Sequence, residues 1–313
     1  MFIFDRAPFP SCHALTIVER EAGKFVAAWF GGTDEGAKDV QIWGSDSDGK
    51  AWSEPRVLGT QPGQPCWNPV LFQLVKGPLV LWYKAGPSPS TWVGYERRSE
   101  DGGKTWSKPA VMPAGFWGPV RAKPIQLKDG TLLAGTSVEA GERGTKTWTP
   151  FADRSTDGGA TWWRSSAFNV SGKHAQIQPT VFAADDGRIV ALMRSFNPLK
   201  VCRAESKDGG TTFGPAEATE LPNPSAGIDA VKLKSGEVIL ICNPVPIGRS
   251  PLCLMRSTDE GKTWEKALDL ETEPGEYSYP AMIQAADGQL RITYTWRRTH
   301  IKHVAVDPAK LRK

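Results

Sequence analysis

The stretch SEDGGKTW at residues 99–106 carries the pattern that decides the fold, Ser-x-Asp-x-Gly-x-Thr-aromatic. Three further segments repeat this pattern, and a degenerate one has Ser47 at the Asp place and Ala51 at the Thr place. The last residues of the five segments lie 51 to 56 positions apart, which indicates a chain built from one repeat. In order, the segments are Ser45–Trp52, Ser99–Trp106, Ser155–Trp162, Ser206–Phe213 and Ser257–Trp264.

Each of these segments is typical of a tight turn. Asp and Ser side chains bond to the backbone of their own turn, and Gly supplies the positive φ that the turn requires. The terminal aromatic residue is then placed to pack between sheets. We therefore assign the five segments a structural role and no catalytic or metal-binding one.

A second turn signal lies between these segments, for example at Leu127–Leu133 and Ala286–Tyr294. Each is a Gly turn followed by β-rich apolar residues, which favours a hairpin. A repeat of this length with about four strands is typical of a propeller blade. The sequence thus predicts an all-β, six-bladed β-propeller spanning residues 1–313 as one domain. The sixth blade, without the pattern, is Tyr279–Val306, and its outer strand is expected from the first ten residues.

Composition narrows the function classes. The net charge of the 313 residues is only +4, which gives no case for nucleic acid binding. The five cysteines form no CxxC pair, so we expect reduced, buried thiols, no metal and no cofactor. The segment MFIFDRAPFP at residues 1–10 does not resemble a signal peptide, and no apolar run is long enough for a membrane span. A cytoplasmic location is the default expectation; a protein whose leader had been removed would look the same and be periplasmic or secreted.

The repeated turn resembles the Asp-box of the sialidase superfamily, and the resemblance covers nearly the whole chain. It implies a glycosidase with three arginines for a substrate carboxylate, a Tyr nucleophile with a carboxylate partner, and an Asp acid/base. Guanidinium groups suit this substrate because they pair with carboxylates through two hydrogen bonds. A neutral Tyr avoids the repulsion that a carboxylate nucleophile would meet at the anomeric carbon of a keto acid sugar.

Two regions of the sequence match the downstream part of this site. Glu276-Tyr277-Ser278 resembles the segment that bears the nucleophile, so the resemblance implies Tyr277 in that role, with Tyr279 as the second choice. Arg249 and Arg194 resemble two of the three carboxylate-binding arginines. The alternative for each of these residues is a strand position without a ligand.

The acid/base is expected on the loop formed by residues 33–39. This loop precedes the first of the five repeated segments, and it carries Asp34 and Glu35. The resemblance implies that one of the two protonates the leaving oxygen. Spacing does not decide between them, and a solvated acidic turn is the alternative.

Two positions depart from the family pattern. The segment at residues 10–14, where the first arginine is expected, contains His13 and no arginine. The carboxylate partner of the Tyr is expected at Gln178, and an amide is not a base. Another carboxylate such as Glu139 would then have to accept the proton. Arg121 or Lys123 would have to supply the missing positive charge, and Lys84 and His13 are weaker candidates for the same site.

The sequence therefore favours a glycoside hydrolase of the exo-sialidase-like type that acts on an acidic glycan or a small acidic sugar. The altered arginine set favours a substrate other than ordinary sialic acid, such as another keto-deoxy acid or a uronide. Two alternatives stay open. One is a polysaccharide lyase that uses Tyr and His on uronic acids, and the other is a non-catalytic glycan-binding propeller. The sugar, the linkage and the oligomeric state are left open.

Overall fold

The computed structural model describes residues 1–141 and 145–311, and these residues form β-strands and one 3₁₀ turn, Pro308–Leu311. The strands make six antiparallel sheets, which is the six-bladed β-propeller arrangement that the repeat predicts. Contacts between residues group the chain into two compact units. The first unit contains Met1–Lys123 and Tyr279–Lys310, and the second contains Pro124–Ser278.

The first unit holds blades 1 and 2 and nearly all of blade 6. Blade 1 consists of β1 (Ser11–Glu21), β2 (Lys24–Gly32), β3 (Gln41–Ser47) and β4 (Arg56–Gly59). Blade 2 consists of β5 (Cys66–Gln73), β6 (Leu79–Ala85), β7 (Val93–Ser99) and β8 (Ala110–Val111). The three strands of blade 6 are β21 (Tyr277–Gln284), β22 (Leu290–Trp296) and β23 (His300–Val306).

The second unit holds blades 3, 4 and 5. Blade 3 consists of β9 (Ile125–Gln126), β10 (Leu132–Ala140), β11 (Thr147–Ser155) and β12 (Trp163–Arg164). Blade 4 consists of β13 (Gln176–Ala183), β14 (Ile189–Ser195), β15 (Lys200–Ser206) and β16 (Glu217–Pro222). Blade 5 consists of β17 (Asp229–Lys232), β18 (Val238–Cys242), β19 (Leu252–Ser257) and β20 (Glu265–Glu271).

Burial decreases from the second strand of a blade to the fourth. Every residue of β6 and of β14 is buried, whereas no residue of β20 is. A strand that is covered on both faces needs a continuous apolar run, and the sequences LVLWYKA and IVALMRS provide one. The charged residue near the end of each run is therefore unusual, because Lys84 and Arg194 are buried with their neighbours.

The first residues of the chain pair with blade 6. The Ile3 amide donates to the Ile301 carbonyl at 2.9 Å, and the His303 amide donates to the Met1 carbonyl at 2.9 Å. Ile301 and His303 both belong to β23, the outermost strand of blade 6. This is the contribution to the last blade that the sequence predicts for the first ten residues.

Each Asp-box connects the third strand of a blade to the fourth. Ser99 Oγ donates to Asp101 at 2.8 Å and accepts the Gly103 amide at 2.7 Å. Asp101 also accepts the amide of Thr105 at 2.9 Å and its hydroxyl at 2.6 Å. The same bonds recur in the three other complete boxes, where the threonine hydroxyl and amide lower the pKa of Asp157 to about 2. These contacts account for the repeated pattern of residue types without a catalytic role.

The first box is shorter than its sequence alignment indicates. Ser47 pairs with Phe25 across the strands, and this is the place that Ser99 has opposite Leu79 in blade 2. Ser47, rather than Ser45, therefore occupies the position of the box serine. The sequence analysis had placed Ser47 at the Asp position, and the turn is in fact two residues tighter, which explains its degenerate pattern.

All five cysteines, Cys12, Cys66, Cys202, Cys242 and Cys253, are buried and carry free thiols. Burial raises the pKa of Cys202 to about 11 and the pKa of Cys66 to about 12, so these thiols stay protonated at neutral pH. Within the described residues, no helix has the length and apolar character that crossing a membrane requires.

His303 on β23 makes the stability of the first unit depend on pH. Its ring packs edge-on against Trp52 at 5.3 Å, and burial, assisted by the charge of Arg291, lowers the pKa of His303 to about 4. In the unfolded chain the histidine pKa is about 6.5. Between about pH 6.5 and pH 4 the unfolded chain therefore takes up a proton that the folded state does not bind. Stability is therefore lost as the pH falls from about 6.5 to about 4.

We expect His303→Gln to remove about 3 kcal/mol of the stability difference between neutral pH and pH 4. The measurement is the free energy of unfolding in urea, for wild type and variant, at both pH values. The comparison at equal pH cancels the contribution of every other titrating group. If wild type and variant lose the same free energy on acidification, His303 is not the group that titrates.

Candidate functional site

The inner strands of four blades share one irregularity. In β1 the pairing moves from His13–Phe30 to Thr16–Ala28, and β5 and β13 skip at the same place. One residue at this place in β1, β5 and β13, and one in β21, has a left-handed backbone, with φ between 38° and 56°, and the four are Ala14, Asn68, Gln178 and Tyr279. A bulge redirects the side chains around it, and bulges are common beside active sites. The candidate residues His13, Gln178 and Tyr279 all lie at this position or next to it.

Arg249, Glu276 and Ser278 form one hydrogen-bonded cluster in the second unit. Arg249 Nη1 lies 2.9 Å from Glu276 Oε1 and 3.2 Å from Ser278 Oγ, and Ser278 Oγ donates to the same carboxylate at 3.1 Å. The Tyr277 amide donates to the Arg249 carbonyl at 3.1 Å. The structure thus pairs the backbones of Arg249 and Tyr277, which the sequence analysis took from separate segments.

The two side chains differ in exposure. The Arg249 side chain is 28% exposed, whereas Tyr277 is 1% exposed, with its hydroxyl against the backbone at Gly275. Asn243 Nδ2 donates to the Tyr277 carbonyl at 3.0 Å and fixes the start of β21. Glu276 is a carboxylate that the sequence analysis did not single out. Its position directly before Tyr277 was the available signal.

Arg194 lies at the end of β14, opposite Ile177 and next to Gln178 in register. Its Nη1 donates to the Ser225 carbonyl at 2.6 Å, and its guanidinium lies 5.2 Å from the ring centre of Trp148. Gln178 is almost fully buried, and its backbone N–H donates to Ser137 Oγ at 3.3 Å.

Glu139 belongs to the same part of the second unit. It pairs with Trp148 across β10 and β11, and its carboxylate lies 3.1 Å from Lys146 Nζ. The Lys146 ammonium in turn lies 4.7 Å from the Trp148 ring centre. The carboxylate that the sequence analysis offered as a base for Tyr277 is therefore engaged in an ion pair with Lys146. Trp148, between two cations, was missed because nothing in its local sequence marks it.

Three candidate residues meet in the first unit. The rings of His13 and Tyr279 are 4.1 Å apart, and His13 Nδ1 lies 2.9 Å from Thr295 Oγ1. The Arg121 guanidinium lies 5.5 Å from the Tyr279 ring centre and donates to the Pro280 carbonyl. All of these side chains are less than a tenth exposed. Lys123, two positions after Arg121, is half-buried.

The two acidic candidates Asp34 and Glu35 differ in their contacts. Glu35 Oε2 forms an ion pair with Arg298 Nη1 at 2.6 Å. Asp34 Oδ1 accepts the Glu35 amide at 2.8 Å, and among residues 1–141 and 145–311 it forms no ion pair. Arg298 was missed by the sequence analysis. Both it and Arg297 have a left-handed backbone, with φ of 62° and 53°, which sequence alone does not reveal.

The candidates lie at one end of their blades and the Asp-boxes at the other. Glu35 follows β2, Glu139 and Arg194 lie near the ends of β10 and β14, and Arg249 follows β18. Since neighbouring strands are antiparallel, the end of a second strand is opposite the end of a third strand, where the boxes begin. An open groove of about 690 Å³ on the outer strands of blade 4, lined by Arg203, Glu217 and Lys262 among others, contains none of the candidates.

Comparison with known families decides where the chain belongs. Residues 23–292 match the family described as BNR repeat-like domain, which is well over half of the chain. The chain belongs to the BNR repeat-like family. The five box turns and six blades of this BNR repeat-like protein are consistent with that assignment. No curated protein matches its sequence.

Solved structures similar to this BNR repeat-like protein have the same fold at low identity. A protein of unknown function from Dyadobacter fermentans is 20% identical with a TM-score of 0.82, over 98% of this chain and 97% of that one. The NanB sialidase of Streptococcus pneumoniae is 14% identical with a TM-score of 0.81, over 100% of this chain and 71% of that one. The intramolecular trans-sialidase of Ruminococcus gnavus is 13% identical with a TM-score of 0.79, over 100% and 98%. At these identities the likeness shows the fold alone, the six-bladed propeller.

Proposed function

We propose that this protein is a glycoside hydrolase that acts on a sugar bearing a carboxylate. The observation that supports it is the Arg249 guanidinium, which Glu276 and Ser278, the residues on either side of Tyr277, hold in one orientation while part of it stays exposed. A fixed, partly exposed guanidinium is suited to a planar carboxylate because two parallel N–H bonds fit its two oxygens. The sialidases among its structural neighbours agree with a carboxylate sugar.

Two catalytic roles complete the proposal. Tyr277 is the nucleophile: its hydroxyl gives its proton to a carboxylate, Glu276 or Glu139, and its oxygen bonds to the anomeric carbon as the bond to the leaving oxygen breaks. A tyrosine oxygen meets less repulsion from the substrate carboxylate than a carboxylate nucleophile would. Asp34 is the acid that protonates the leaving oxygen. We prefer it to Glu35 because the Glu35 carboxylate is engaged in an ion pair with Arg298, whereas Asp34 forms no ion pair within residues 1–141 and 145–311.

The substrate is proposed to differ from ordinary sialic acid. His13 occupies the position where the family resemblance expects an arginine, and it is buried against Tyr279 rather than exposed to a ligand. One carboxylate-binding cation is therefore missing at this position. A keto-deoxy acid or a uronide, whose carboxylate is held by fewer arginines, fits this arrangement better.

Arg249→Lys tests the proposal directly. Lysine keeps the charge but cannot form two parallel bonds, so we expect kcat/KM on an acidic glycoside to fall by about tenfold to a hundredfold. The assay is the release of reducing sugar across a panel of keto-deoxy acid glycosides and uronides, with neutral glycosides alongside. Arg256→Lys is the matched control, because Arg256 is in the same blade and also contacts carboxylates, Glu237 and Glu265. Equal activity in the two variants would show that Arg249 does not bind the carboxylate.

A second candidate function is elimination from a uronic acid glycan. It is favoured by the contact of His13 with Tyr279 under the Arg121 guanidinium, since a lyase needs a base, an acid and a cation for the carboxylate. The same panel distinguishes the two, because elimination gives an unsaturated uronide that absorbs near the ultraviolet edge. Such a product, abolished by Tyr279→Phe but kept in Tyr277→Phe, would replace the hydrolase proposal. Reducing sugar without this absorbance would exclude elimination for that substrate.

A further inference from the structure

One position of the repeat connects each blade to the next. In each blade with a box, the box serine pairs with a residue of the second strand, and the connecting position lies five residues after that residue, at the end of the strand. The second strand of blade 6 has an equivalent position. The strand register makes these residues equivalent although their types differ. They are Phe30, Lys84, Ser137, Arg194, Asn243 and Thr295.

Three of these side chains each donate a hydrogen bond to a backbone carbonyl of the following blade, and the three carbonyls occupy equivalent positions. The acceptor in each case is the residue that enters the inner strand, just before the position equivalent to the bulge. Donor and acceptor are, in order, Lys84 and Pro119, Arg194 and Ser225, and Asn243 and Tyr277. The bond thus belongs to the fold and recurs with a cation in two blades and an amide in one.

Lys84 makes the most complete set of these bonds. Its ammonium donates to the carbonyls of Pro119, of Val120 at 3.3 Å and of Asn68 at 3.3 Å, and the residue is 0% exposed. An ammonium has three protons for these three oxygens, whereas a neutral amine would direct a lone pair at one of them. Burial alone lowers the pKa of Lys84 well below its usual value, and the three carbonyls oppose that shift.

The residue that follows these carbonyls is Arg121. Its guanidinium reaches the Pro280 carbonyl and lies over the Tyr279 ring, which packs on His13. We infer that Lys84 is a positioning residue: its ammonium fixes the Pro119 and Val120 carbonyls and thereby the direction in which Arg121 leaves the backbone. Only the further step, that Arg121 then meets the substrate, depends on the function proposed above.

The test follows the guanidinium of Arg121 in the full-length protein. Nitrogen-15 NMR, with Arg121→Lys to assign the signal, measures how fast its protons exchange with water. Lys84→Met should accelerate this exchange by about tenfold or more, because the bond of the guanidinium depends on its orientation. Arg194→Met is the matched control: it removes the equivalent blade contact, to the Ser225 carbonyl, in the second unit, and we expect the Arg121 rate to stay at the wild-type value.

Two results would overturn the inference. One is a folded Lys84→Met protein with an unchanged Arg121 exchange rate, and the other is a neutral Lys84 amine in the wild type at pH 7. If Lys84→Met does not fold, Lys84→Gln, which keeps one donor, takes its place, and the protonation state of wild-type Lys84 decides the matter if neither folds. Normal substrate affinity in Arg121→Lys would instead remove Arg121 from the proposed function without changing the exchange result.

Discussion

Tyr277→Phe should lower turnover of an acidic glycoside by about a thousandfold, the scale expected when a group that takes part in the reaction is removed. Only the hydroxyl is lost, and the ring still fills its buried place at the start of β21. The melting temperature should therefore change little. A fluorinated keto acid glycoside should label Tyr277 covalently in the wild type, which mass spectrometry of the peptides would locate.

The matched control is Tyr95→Phe, because Tyr95 stacks on Tyr83 in blade 2 and has no proposed part in the chemistry.

The carboxylate that assists Tyr277 can be tested in the same assay. We expect Glu276→Gln to be more damaging than Glu139→Gln, since Glu276 anchors Arg249 and Glu139 is paired with Lys146. Wild-type activity in Tyr277→Phe, with no label on the wild type, would end the covalent mechanism.

Gly135→Ala should destabilise the second unit by about 3 kcal/mol or more. A Cβ atom at Gly135 in β10 would lie 1.9 Å from the Pro179 carbonyl oxygen in β13, and this obstacle is backbone rather than a flexible side chain. The two blades would have to separate, which removes packing between them. The measurement is the free energy of unfolding in urea.

Gly214→Ala is the control for this substitution. Its backbone is not left-handed, and the nearest atom to an added Cβ is the Glu205 carbonyl oxygen at 3.9 Å. We expect a change within about 0.5 kcal/mol. If Gly135→Ala is as stable as Gly214→Ala, then blades 3 and 4 do not approach as closely as the structure describes.

The fold was predictable because its signals are local and repeated. A box such as Ser155–Trp162 makes nearly all of its hydrogen bonds within eight residues, so its residue types determine its shape. Five such turns at regular spacing leave few architectures other than a propeller. The first box was misaligned by two residues because its shortened turn keeps the same composition.

The site was less predictable because its contacts join distant parts of the chain. His13 and Tyr279 meet only because blades 1 and 6 are neighbours, and nothing near either residue in sequence announces it. Arg298 escaped notice because its conformation is a backbone property. The roles of Tyr277 and Arg249 are still predictions that come from a family pattern rather than from physical chemistry, and the contact between the two residues joins their backbones.

The bonds from Lys84, Arg194 and Asn243 also run in one direction along the chain. Each donor finds its acceptor some thirty residues further on, in the blade that a ribosome makes next. During synthesis, each of these donors therefore lacks its acceptor in the next blade until the following inner strand emerges. A nascent chain halted between blades would expose that deficit at its growing edge, and Lys84, a cation, would make it largest after the second blade.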